Sequence, residues 1–205
     1  MEAKDYFDEI AECWDSEYEY HVVARNTTAL VSGAASGAYI LDVGCGTGEM
    51  FAPLLDAGAS EITGVDLSEK MIQFAEGKIG FDPRISLHRC DILDFEEAGY
   101  DAAVMFDAYQ FILDKGALIA RLHSLLRPKG RFTVAFGFGR ERVNSYSMLV
   151  PDGLTAPLRP ALEEKKLWER YFEVDILCDT PELYIISGTA KELTAKNRQA
   201  GDINA

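Results

Sequence analysis

One stretch constrains this chain more than any other. Ile40-Leu41-Asp42-Val43-Gly44-Cys45-Gly46-Thr47-Gly48-Glu49 is a buried-strand run that ends in three alternating glycines and hands over to a helix. Glycines at such a junction let the backbone turn tightly and bring a ligand against bare main chain. A dinucleotide loop needs G-x-G-x-x-G, but counting from Gly44 puts Glu49 at the third glycine, and counting from Gly46 puts Phe51 there. A phosphate-cradling G-x-x-x-x-G-K-[ST] loop needs a lysine, and this loop has none. Charge makes the same choice independently. Asp42 sits at the base of the loop and Glu49 in the expected first helical turn, where a pyrophosphate would otherwise lie. Two carboxylates disfavour a phosphate there and favour a ligand that carries positive charge.

The rest of the chain alternates short runs rich in branched residues with helical patterns, which predicts β-α units and a parallel sheet. Strands are expected over 39–43, 61–66, 84–89, 100–106 and 130–138. Helices are expected over 68–79, where Ser68 stands at the cap and Met71, Ile72, Ala75 and Ile79 share a face, and over 115–126, stopped by Pro128 and Gly130. A further helix over 162–171 precedes two strand-like runs, 172–178 and 183–191. The connector Asp179-Thr180-Pro181-Glu182 is too short for a parallel crossover, so these two form an antiparallel hairpin. The expected fold is α/β: a Rossmann-like seven-stranded sheet, mostly parallel with an antiparallel C-terminal hairpin and helices on both faces. With 205 residues, 48% of them apolar, the chain suits one domain. Within it, 1–36 reads as an N-terminal helical lid (helices over 5–13 and 17–32) joined by the flexible run Ser32-Gly33-Ala34-Ala35-Ser36-Gly37, 37–191 as the core, and 192–205 as a frayed polar tail.

A ligand bearing an ammonium and a sulfonium satisfies the charge argument, which describes S-adenosylmethionine. At Asp42, Gly44, Gly46 and Gly48 the loop resembles the first motif of class I S-adenosylmethionine-dependent methyltransferases, acidic-x-G-x-G-x-G after a hydrophobic strand. Asp66 ends the next strand, where a carboxylate suits a bidentate grip on ribose hydroxyls. Cys90-Asp91-Ile92 ends the third, where the resemblance implies that Asp91 accepts from the adenine amino group and Ile92 packs nearby. With Met105-Phe106-Asp107-Ala108-Tyr109 after strand four and Arg127-Pro128-Lys129-Gly130 before strand five, the landmarks cover roughly residues 37–138 in the family's order. The implied cofactor site comprises Asp42, Gly44, Cys45, Gly46, Gly48, Asp66, Leu67, Met71, Cys90, Asp91, Ile92, Phe106 and Asp107. Taken singly, Asp66 and Asp91 also read as caps of local turns.

The N-terminal run Tyr6-Phe7-Asp8-x-x-Ala11-x-x-Trp14-Asp15 resembles the leading helix of small-molecule methyltransferases of the ubiquinone and menaquinone type. That resemblance implies an aromatic lid of Tyr6, Phe7, Trp14, Tyr18, Tyr20 and His21, with Arg25 as partner of the cofactor carboxylate. The alternative is an amphipathic helix pair packing its aromatics on the sheet. In-line methyl transfer needs positioning above all, so the catalytic residue is left unassigned. Asp107, Tyr109, His21 and Tyr146 are the groups that could reach the site.

Composition narrows the partners. The formal net charge of -14 disfavours nucleic acid and anionic membranes, and Asp107-Ala108-Tyr109-Gln110 lacks the Asn/Asp-Pro-Pro-aromatic motif of base methyltransferases. No apolar run is long enough to span a bilayer, and the acidic start, residues 1–8, is unlike a secretory signal, so a cytoplasmic protein is expected. Cys13, Cys45, Cys90 and Cys178 and the three histidines have no metal-ligand spacing, and His123 is read as solvent-facing. The expectation is methyl transfer from S-adenosylmethionine to a small-molecule acceptor, yielding S-adenosylhomocysteine (SAH), with a homodimer left open. The alternatives are a non-catalytic S-adenosylmethionine-binding or regulatory protein of the same fold and, behind it, an NAD(P)-dependent oxidoreductase.

Overall fold

The computed structural model describes residues 1–192, and side chains throughout except at 16–20; the expected tail lies almost wholly outside the described residues. A seven-stranded sheet runs β3-β2-β1-β4-β5-β7-β6. Its parallel strands β1 (Ala38–Val43), β2 (Ala59–Asp66), β3 (Ile85–Arg89), β4 (Tyr100–Phe106) and β5 (Leu126–Phe136) are followed by β7 (Tyr184–Ala190), antiparallel to both β5 and β6 (Phe172–Asp179). Only β7 therefore runs against the rest, inserted between β5 and the edge strand β6. The order reverses between β1 and β4, and in such sheets ligands bind in the crevice outside the carboxyl ends of the strands at the reversal.

Helices cover both faces, as expected for strands buried on both sides. Leu41 and Val43 of β1 and Ala103 and Met105 of β4 point to one face, with Leu118, Ile119, Leu122 and Leu125 of α5 (Lys115–Leu125) and Trp168 of α7 (Ala161–Trp168). Their neighbours Ile40, Ala102, Val104 and Phe106 point to the other, with Ala24 and Ala29 of α2 (Val22–Val31), Phe51 and Leu54 of α3 (Phe51–Ala57), and Ile72 and Ala75 of α4 (Glu69–Ile79). This period-2 division of single strands between two clusters is what makes the layers. Ser68 caps α4, accepting from the Met71 N–H at 3.1 Å, as its sequence implies.

The structure corrects several boundaries. The chain passes from α5 straight into β5 at Leu126, so Pro128 and Gly130 lie inside the strand's outer end rather than after the helix. The N-terminal helices become α1 (Ala3–Ile10), a 3₁₀ segment (Ala11–His21) and α2, because the central residues bring too few apolar positions to hold an α-helical face. The run at 32–37 is a hydrogen-bonded turn. Ser32 Oγ accepts the Ala34 N–H, the Gly37 N–H donates to Gly58 O, and Ala34 is buried. Between β5 and α7 lies α6 (Arg140–Ser147), a mostly polar helix with one buried residue, Val143, and no periodicity to announce it. His123 is half-buried against Tyr171 and Phe172, its Nε2 2.9 Å from Lys191 O. No helix among the described residues is long and apolar enough to cross a membrane.

Candidate active site

The glycine loop turns at the carboxyl end of β1 with Gly44 and Gly46 at φ +66° and +54°. A Cβ on Gly44 would stand 2.6 Å from Ala108 Cβ, so the loop must be bare to pack under the β4 end. Its backbone is tied to β2: the Gly44 and Cys45 N–H groups donate to Val65 O at 2.8 and 3.1 Å, and the Gly46 N–H to Asp66 Oδ2 at 2.8 Å. Asp66 Oδ1 accepts from the Ser68 N–H at 2.9 Å, so one carboxylate fastens the loop to the start of α4 and still keeps free lone pairs. Burial raises its pKa, opposed by backbone N–H groups of Ser68, Gly46 and Leu67.

Asp42 lies beneath the loop, 1% exposed, and its Oδ2 has no hydrogen-bond partner. Burial pushes its carboxyl up to about 8, with Asp66 and Glu49 adding to the rise. An orphaned buried carboxylate either holds a proton or awaits a cation. Glu49 falls in the turn ahead of α3 rather than in its first turn, and Arg25 Nη1 pairs with it at 3.1 Å. Burial raises the Glu49 pKa and Arg25 opposes the rise.

These groups open on a cavity of about 670 Å³, within the range of small-molecule sites. Of the residues expected from sequence, Asp42, Gly44, Cys45, Gly46, Asp66 and Leu67 line it, as do Met71, Cys90, Asp91, Ile92, Phe106 and Asp107, and from the N-terminus Tyr6 and Trp14. Two do not. Gly48 faces the Phe51 ring beneath the loop, and Arg25 is spent on Glu49 instead of reaching the cavity as a carboxylate partner. Tyr109 is also excluded from the chemistry, because it is buried in the core with its hydroxyl donating to Glu164. Asp91 accepts the Leu93 N–H at 2.9 Å, capping its turn as well as facing the cavity. Tyr18 and Tyr20 lie outside the described side chains.

The N-terminal segment closes one side. Phe7 packs edge-on against Trp14 and Phe111, with ring centroids 5.9 and 4.7 Å apart. Two polar latches hold it, and neither is readable from sequence. Asp8 Oδ1 accepts from Ser68 Oγ at 2.6 Å and from the Lys70 N–H at 3.1 Å. Asp15 accepts from Thr47 Oγ1 at 2.6 Å and pairs with Lys78 Nζ at 2.5 Å. The far wall, including Phe138, Val143, Tyr146 and Leu149, comes from the segment that carries no motif. Among the described residues, no group of three or more His, Cys, Asp or Glu side chains is arranged to hold a metal ion.

The topology, the glycine loop and the strand-end carboxylates define the class I methyltransferase fold. Residues 40–130 match the family model described as "Methyltransferase domain". The chain is 31% identical over 106 residues to the O-methyltransferase cnsE of Penicillium expansum, covering 49% of this chain and 38% of that protein. It spans about half or less of the curated relatives it matches. Among solved structures, a chain of the complex between the Haloferax volcanii Trm112 methyltransferase activator and a methyltransferase superposes with a TM-score of 0.78 at 18% identity, covering 94% of this chain and 99% of that one. Magnesium protoporphyrin IX methyltransferase from Synechocystis PCC 6803 with bound SAH gives 0.66 at 20% identity, covering 92% and 97%. Both likenesses concern the fold.

Proposed function

We propose that this protein is a methyltransferase that binds S-adenosylmethionine and methylates a small-molecule acceptor. The observation that carries the reading is the buried, unpartnered Asp42 carboxylate under a bare glycine turn, opening on a cavity that Asp66 and Asp91 also face. Asp42 and the loop suit the ammonium end of the cofactor, since a cation there replaces the missing donor. Asp66 has lone pairs left for ribose hydroxyls after anchoring the loop, and Asp91, facing the same cavity, is the acceptor this reading assigns to the adenine amino group. When bound, S-adenosylmethionine supplies a methyl group activated on a sulfonium. Tyr6, Phe7 and Trp14 exclude water from that end of the cavity, and the rigid strand ends hold the reacting groups in place, which is where most of the acceleration of such displacements arises.

In this reading, residues 1–36 act as the lid, 37–191 as the catalytic core, and the enzyme works in the cytoplasm. The acidic surface supports a small acceptor over a polyanion. The test is calorimetric titration with S-adenosylmethionine and SAH on the wild type, Asp66→Ala and Gly46→Val. Micromolar binding lost in both variants supports the site. A folded wild type that binds neither ligand refutes it, and nicotinamide dinucleotides are then titrated as the competing class.

A further inference from the structure

We infer that His21, positioned by Asp107, is the general base of this site, and that the acceptor is a neutral, largely apolar molecule methylated on a hydroxyl oxygen. This rests on the methyltransferase reading above and names its acceptor chemistry.

His21 ends the 3₁₀ segment and lines the cavity. Its Nδ1 lies 3.3 Å from Asp107 Oδ2, with the two side chains 12% and 22% exposed. Its Nε2 is buried and has no hydrogen-bond partner. A carboxylate facing Nδ1 favours the proton there and leaves the lone pair on Nε2, the arrangement a base requires. Gly137 seats both members. Its N–H donates to Asp107 Oδ1 at 3.0 Å, which orients the carboxylate, and a Cβ on it would stand 2.6 Å from His21 Cγ and Nδ1, so only glycine leaves room for the ring. Asp107 itself has φ +54°, an uncommon conformation for a residue with a side chain and one that accumulates at functional sites. The phenyl rings of Phe106 and Phe138 fix the imidazole edge-on at 6.1 and 4.5 Å.

The surrounding wall selects the acceptor. No Lys or Arg is among the described residues that line the cavity, whereas Asp42, Glu49, Asp107 and Asp114 are, so an anionic acceptor finds no counter-charge. An amine would be held by these carboxylates as its ammonium, without a lone pair to attack, and as a neutral aniline it needs no base. A hydroxyl does need one. Phe7, Phe111, Phe138, Val143 and Leu149 supply an apolar surface for the acceptor's body. In the step, His21 Nε2 takes the hydroxyl proton while the oxygen–carbon bond forms and the carbon–sulfur bond of the methyl donor breaks. The electron pair stays on sulfur, the sulfonium becomes a thioether, and the imidazolium, paired with the Asp107 carboxylate, returns its proton to water.

The test uses the full chain with S-adenosylmethionine and three probes of one shape, 4-butylphenol, 4-butylaniline and 4-butylbenzoate, with products read by mass spectrometry. The expected result is O-methylation of the phenol above the other two. In His21→Gln that rate falls by about 100-fold or more, the range of a lost general base, while the calorimetric affinity for S-adenosylmethionine is kept. Imidazole ¹⁵N shifts give a readout independent of turnover: the wild type shows His21 protonated on Nδ1 with a free Nε2, and Asp107→Asn abolishes that preference. An Nε2–H tautomer in the wild type, phenol methylation that survives in His21→Gln, or a cofactor-binding protein that methylates the aniline or benzoate in preference to the phenol, or no phenol at all, overturns the inference. Absence of S-adenosylmethionine binding instead overturns the methyltransferase reading itself.

Discussion

Asp42→Asn tests the strangest feature of the site, a carboxylate buried without a donor. In the folded protein its carboxyl is pushed up to about 8, from 3.8 in the unfolded chain. The folded state therefore binds more protons than the unfolded one between these values, and Asp42 makes stability fall as pH rises through that window. At about 1.36 kcal/mol per pH unit, the three units from pH 5 to pH 8 carry a ceiling of about 4 kcal/mol. Local relaxation lowers this, so about 2–4 kcal/mol is expected. Asparagine keeps the shape and does not titrate, so the stability gap between variant and wild type should widen by that amount from pH 5 to pH 8, in the variant's favour. For a chain of this size that is roughly 5–15 °C in Tm, at about 2–4 °C per kcal/mol. Urea and thermal unfolding of both proteins across the window measure it. A gap independent of pH, or a variant that loses ground as pH rises, refutes the claim that Asp42 is an uncompensated buried acid.

Two further outcomes follow from packing. Gly44→Ala must adopt φ +66° and push its methyl to 2.6 Å from Ala108 Cβ, so it should lose about 2–4 kcal/mol in urea unfolding, and an unchanged midpoint would contradict the loop geometry. Arg25→Met strands the half-buried Glu49 carboxylate and should cost about 2–3 kcal/mol, much of it recovered in Arg25→Met/Glu49→Gln; equal stability of single and double variants would show that the pair does not matter.

The sheet and the glycine-loop side of the cavity are largely legible in the chain, for a local reason. Gly44 and Gly46 follow an apolar run directly, Asp66 closes β2 and Asp91 stands two residues past the end of β3, so adjacency in sequence is adjacency at the sheet's carboxyl edge. The hairpin 172–190 was equally readable, because a four-residue connector between strand patterns leaves no room for a crossover. Where the pattern is weak, the structure departs from it: the 3₁₀ segment 11–21 has the sequence of parts of two helices, and α6, mostly polar with only Val143 buried, carries no signal.

Which strand lies beside which, and which side chain meets which, belonged to the tertiary structure. Asp8 reaches Ser68, Asp15 reaches Lys78, and His21 reaches Asp107 over Gly137, each across a long stretch of chain. Arg25 turned to Glu49 instead of the cavity, and Tyr109 turned to Glu164 in the core. Sequence alone determined the loop, the strand-end acids and the apolar faces, because backbone conformation and amphipathic period are set by neighbouring residues. The partners were decided only when packing of the two faces fixed the distances, since a hydrogen bond or ion pair depends on separation in space and a linear pattern carries no record of it.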